Sequence, residues 1–97
     1  MANATTKTLI FGDLQVSFFD FAKAGDDFPV HVHTDAATSH ISILARGSIV
    51  CQGAAGIAGR VLNPGDVVDW PLHQEHGFTA TADATRLINV RKVVDKT

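Results

Sequence analysis

What most constrains the fold of this chain is a succession of short stretches rich in β-branched and aromatic residues, separated by Gly, Pro, Asn and Asp. Apolar residues at helical spacing never persist for the ~10 residues that a helix needs. The pattern predicts strands over Thr8–Phe11, Leu14–Ala22, Phe28–His33, Ser39–Ala45, Ser48–Gln52, Gly59–Leu62, Asp66–Trp70, His76–Thr81 and Arg86–Val94. Such spacing suits an antiparallel sandwich or barrel.

The breaks between strands have a chemical basis. Arg46-Gly47-Ser48 reads as a tight hairpin in which Gly47 takes positive φ. In Asn63-Pro64-Gly65-Asp66 the proline presets φ and Gly65 supplies the left-handed position. Gly53-Ala54-Ala55-Gly56-Ile57-Ala58-Gly59 reads as a mobile hairpin loop. It lacks the Gly-Lys-Ser/Thr ending of a phosphate loop and does not lead into a helix, which excludes nucleotide binding there. The ends, residues 1–7 and 95–97, are expected to fray or to engage a partner.

Several strands are apolar at consecutive positions. In Ile41-Ser42-Ile43-Leu44-Ala45 both parities carry apolar residues, whereas a strand exposed on one side alternates more cleanly. One face is therefore expected against a barrel interior and the other against a second layer or another subunit, which points to a homodimer.

Composition closes off other classes. The net charge is −2 with histidine neutral, which gives neither a basic footprint for nucleic acid nor a polybasic segment for a membrane. No apolar run approaches the length of a membrane span. The single cysteine, Cys51, cannot form an internal disulfide and reads as a small apolar packing residue. The expected location is cytoplasmic, with no signal-peptide core in the first residues.

The chemistry lies in the histidines, of which the chain has 5, all between positions 31 and 76. Side chains two apart on a strand share a face, so a strand over His31-Val32-His33 sets both imidazoles together. Imidazole is a common ligand of transition metals. The same pair also suits a solvent-exposed strand, so the surrounding pattern decides.

That pattern resembles the two signature motifs of the cupin superfamily. Gly25, His31, His33 and Gly47 fit the first, and Gly65, Pro71 and His76 fit the second. The resemblance spans residues 25–80. It departs from the family where a glutamate is usual: His40 stands there, and the gap after His33 is longer by two or three residues. His73 replaces the glycine of the second motif and Ala80 its asparagine.

The resemblance implies an all-β fold, a cupin-type antiparallel β-barrel of the jelly-roll-like double-stranded β-helix kind, over residues 1–97 as one domain. It implies one divalent transition metal ion, Fe, Mn, Zn or Ni, held by His31, His33 and His76. His40 is the expected fourth ligand and Asp35 the alternative; His73 is expected in the turn before the His76 strand. An imidazole in place of the carboxylate leaves the ion its full +2 charge.

The expected partner is a small anionic or chelating molecule. Ser42, Leu44, Phe78 and Ala80, in phase with the ligands, are the expected wall, a largely apolar one. Arg46, Arg60, Arg86 and Arg91 are candidate positive groups that parity does not separate. The chain has no tyrosine to act as acid or base. Family precedent covers dioxygenase- and isomerase-type enzymes, non-catalytic metal- or ligand-binding modules and structural cupins, and fold does not choose among them.

Overall fold

The computed structural model describes residues 3–31, 40–53, 57–70 and 76–92, with the backbone alone given for 29–31 and 76. The strands are β1 (Thr5–Phe11), β2 (Leu14–Phe21), β3 (Asp27–His31), β4 (His40–Arg46), β5 (Ile49–Gly53), β6 (Val61–Leu62), β7 (Val67–Trp70), β8 (His76–Ala80) and β9 (Thr85–Lys92). Each matches a stretch predicted above to within a few residues. β1 begins earlier than expected, at Thr5, and Asn3 bridges Asp27, so residues 3–7 are held by strand pairing.

The strands form two antiparallel sheets, one in the order β1-β2-β9-β4-β7 and one in the order β3-β8-β5-β6. Their facing sides enclose a core of Phe19, Phe21, Leu44, Ile49, Cys51, Leu62, Val68, Trp70, Phe78, Ala80 and Leu87. Alternation decides which side each residue takes. On β4 the fully or nearly buried positions are His40, Ser42 and Leu44, while Ile41 and Ile43 face outward and are half-buried. On β9, Thr85 and Leu87 point in, and Arg86 and Ile88 point out.

The outer side of the five-stranded sheet carries two continuous cross-strand rows. One runs Leu9–Val16–Val90–Ile41–Asp69 and the other Lys7–Phe18–Ile88–Ile43–Val67. Eight of these ten positions are apolar. Leu9 is 54% exposed and Val67 47%. Phe11 is 74% exposed at the end of β1.

Turn chemistry closes the barrel. Gly65, with φ 95°, donates its N–H to Leu44 O at 2.9 Å, and the Asp66 side chain accepts the Asn63 N–H at 2.8 Å. Gly47 has φ 88°, and a Cβ built on it would lie 2.8 Å from the Thr85 Cα. No side chain fits there without moving backbone.

The register also fixes the two ends of the barrel. At one end Ser48 N–H donates to Thr85 Oγ1 at 3.2 Å, and Thr81 N–H to Ser48 O at 2.9 Å. At the other, Gln15 pairs with Arg91, His40 with Trp70, and His31 with His76, which in turn pairs with Gly53. A register shift between Phe28 and His31 marks a bulge in β3, a common device for re-aiming a strand.

Candidate functional site

The second end of the barrel holds His40 and the backbone of His31 and His76. His40 opens β4, 8% exposed, with its ring 6.4 Å from that of Trp70. Trp70 meets Phe78 edge-on at 5.5 Å, and Phe78 stacks with Phe28 at 6.5 Å. This aromatic series links β4 and β7 of one sheet to β8 and β3 of the other, the strands that carry His76 and His31. Those two residues are direct partners across the β3–β8 ladder.

His33, Asp35 and His73 lie outside the described residues. Among the described side chains no group of three His, Cys, Asp or Glu gathers at metal-binding distance. His40 is the one candidate ligand whose side chain is described. The His40 imidazole is a donor type that suits a divalent transition metal.

Beside His40 lies a cavity of about 80 Å³ lined by Gln15, Ser17, Phe19, Phe28, His40, Asn89 and Arg91. Most of the cavity's surface is apolar, as expected, but residues other than those expected supply it. Ser42, Leu44, Phe78 and Ala80, expected as the wall, are buried in the core and are not among the residues lining this cavity. β2 and β9, which hold no motif residue, supply the polar part of the wall, Gln15, Ser17, Asn89 and Arg91. Period-two alternation places all four on the inner side, and no sequence motif marks them.

A relay of hydrogen bonds organises this wall. Trp70 Nε1–H donates to Ser42 Oγ at 2.8 Å, and Ser42 Oγ donates to Asn89 Oδ1 at 2.5 Å. Arg91 Nε–H donates to Gln15 Oε1 at 2.8 Å. β9 is thus tied by side chains to β4 through Ser42 and to β2 through Gln15, as well as by the ladders.

The four arginines now separate. Arg91 lines the cavity. Arg86 and Arg46 stand at the opposite end, where Arg86 forks Asp20 at 2.7 and 3.0 Å and Arg46 approaches it at 3.9 Å. The hydrogen bond from Arg86 holds the Asp20 carboxyl below the usual carboxylate range. Arg86 also lies over the Phe18 ring at 5.5 Å. Asp20, Arg46 and Arg86 line a larger cavity, about 330 Å³, in which both arginines face the Asp20 carboxylate. Arg60 is exposed beside β6.

Burial pushes the Cys51 thiol up to about 11. The side chain is fully buried in the core, so it is neither a nucleophile nor a ligand at neutral pH.

The fold is found in solved structures of low sequence identity. KdgF from Halomonas sp. superposes with a TM-score of 0.79 at 22% identity, over 95% of this chain and 82% of that one. An RmlC-like cupin protein from Desulfovibrio desulfuricans gives 0.76 at 22%, over 95% and 85%. A cupin domain from Bordetella pertussis gives 0.73 at 16%, over 96% of each chain. No protein-family model and no curated protein sequence matches the chain. The chain therefore has the cupin fold, a double-stranded β-helix made of strands alone among the described residues.

Proposed function

We propose that this chain is a small metal-binding cupin in which His31, His33, His76 and His40 hold one divalent transition metal ion (Fe, Mn, Zn or Ni), and that a small anionic or chelating molecule binds beside it. The observation that supports this most is the convergence at one barrel end: His31 opposite His76 in the ladder, and His40 buried at the head of β4 beside a small cavity. Imidazole ligands are neutral, so the ion would keep its +2 charge and favour an anionic partner. When bound, the ion supplies Lewis-acid polarisation of a coordinated oxygen.

The chain's own residues do the rest. Phe19 and Phe28 give the cavity dry walls, and the relay from Trp70 through Ser42 fixes Asn89. The reaction class proposed is dioxygenase- or isomerase-type chemistry. A second reading, a non-catalytic sensor or accessory module, is favoured by one observation: no carboxylate appears among the described residues lining the cavity, and the chain has no tyrosine to serve as acid or base.

Elemental analysis of protein purified without added metal, beside a His31→Ala/His33→Ala control, tests the site. About one divalent ion per chain, lost in the control, is expected; no stoichiometric metal in the parent rejects both readings. Oxygen uptake with a panel of β-dicarbonyls and hydroxy acids then separates them.

We also propose a homodimer through the outer side of the five-stranded sheet. Five strands about 4.8 Å apart and about seven residues long give a face of roughly 550 Å² in projection, and side-chain relief brings it toward the ~800 Å² per partner of a standard interface. Lys7 and Asp69, both exposed, end the two apolar rows on the outermost strands, at opposite corners. A twofold axis running roughly along the strands sets Lys7 of one copy against Asp69 of the other, twice per dimer.

A further inference from the structure

The hydrogen-bond polarity of the cavity wall identifies what the cavity takes. Trp70 Nε1 can only donate, so Ser42 Oγ accepts from it and turns its own hydrogen to Asn89 Oδ1. The amide NH₂ of Asn89 is thereby the end left to other partners. The same logic applies to Gln15. Arg91 Nε can only donate, so Gln15 Oε1 accepts and its NH₂ is the remaining group. Arg91 itself keeps four further N–H donors on its two Nη atoms, in a plane fixed by the Gln15 bond. Three of the cavity's lining residues thus offer donors.

Charge points the same way. Arg86 and Arg46 face the Asp20 carboxylate, Lys92 lies 3.7 Å from Asp13, and Lys23 lies 4.0 Å from Asp83. Arg91, by contrast, is paired with a neutral amide, and among the described residues lining its cavity there is no acid. The cavity, at about 80 Å³, is also far below the ~300–1,000 Å³ of a drug-sized site, so its occupant has few heavy atoms.

We propose that Arg91, held in plane by Gln15 and flanked by the Asn89 amide, is the residue that recognises the carboxylate of a small organic acid in this cavity. A guanidinium fork matches the two oxygens of a carboxylate. The assignment deepens the metal-site reading by placing the ligand's carboxylate on the β2–β9 wall and its other end toward His40, yet the Arg91 contact itself needs no metal.

Calorimetric titration of malonate and of its neutral diamide, malonamide, into metal-free and metal-loaded protein tests it. In Arg91→Met, malonate should bind at least ten-fold more weakly in both forms, with malonamide unchanged. Arg91→Lys, which keeps the charge and loses the fork, should fall between, and Gln15→Leu, which frees the guanidinium plane, should weaken malonate while leaving metal content as in the parent. Undetectable malonate binding by the parent, or equal binding by Arg91→Met, overturns the proposal. Preference of the parent for inorganic phosphate over malonate overturns the carboxylate assignment. Absence of metal from the parent rejects the metal-site reading alone, since the metal-free titration still decides the role of Arg91.

Discussion

Trp70 and Ser42 are joined by a buried hydrogen bond, indole N–H to hydroxyl at 2.8 Å, and Ser42 passes the chain on to Asn89. Core and cavity are therefore coupled. Ser42→Ala removes the acceptor for the indole and the donor that orients Asn89. Loss of such buried partners costs ~1–3 kcal/mol. Urea denaturation should show a stability loss of that size, while the conservative Ser42→Thr keeps the hydroxyl and should lose less.

Gly47 offers a sharper test of the fold. It joins positive φ to a backbone approach by Thr85, so Gly47→Ala combines a disfavoured conformation with an overpacked contact. The expected loss is ~2–4 kcal/mol, read as a lowered thermal midpoint. Gly12→Ala, also at positive φ but with open space around it, should cost less because only the backbone term applies.

The Cys51 thiol makes stability fall at high pH. Its folded-state value is about 11 against an ordinary 9.0. A raised pKa means the unfolded chain releases the proton first, so the contribution is whole below pH ~9 and lost as pH rises toward ~11. Denaturation between pH 8 and 11 should show a steeper decline for the parent than for Cys51→Ala. At pH 8 the native thiol should resist a disulfide reagent that labels the unfolded chain.

Dimerisation through the outer sheet face predicts a sedimentation mass of two chains. Leu9→Lys with Val67→Lys places charges at exposed positions on that face and should shift the mass to one chain without altering the circular dichroism. A parent mass of one chain contradicts the interface.

The strands were legible because period-two alternation and turn residues act locally: Asn63–Asp66 closes a turn through its own backbone and side chains. The inward parity of His40 and Ser42 followed from the same rule. The polar residues of the cavity were not legible, since Gln15 and Arg91 are 76 positions apart and meet only through the β2–β9 register. Which arginine faces inward depended likewise on that register. Phe11, apolar yet 74% exposed, shows that residue type alone does not assign the core.

The central claim is a histidine-held metal at this barrel end, and diffraction at the metal absorption edge tests it most directly. One anomalous peak per chain is predicted, coordinated by nitrogen atoms of His31, His33, His76 and His40. A peak coordinated by Asp35 in place of His40 would contradict the neutral ligand set, and no peak in metal-supplemented crystals would contradict the site itself.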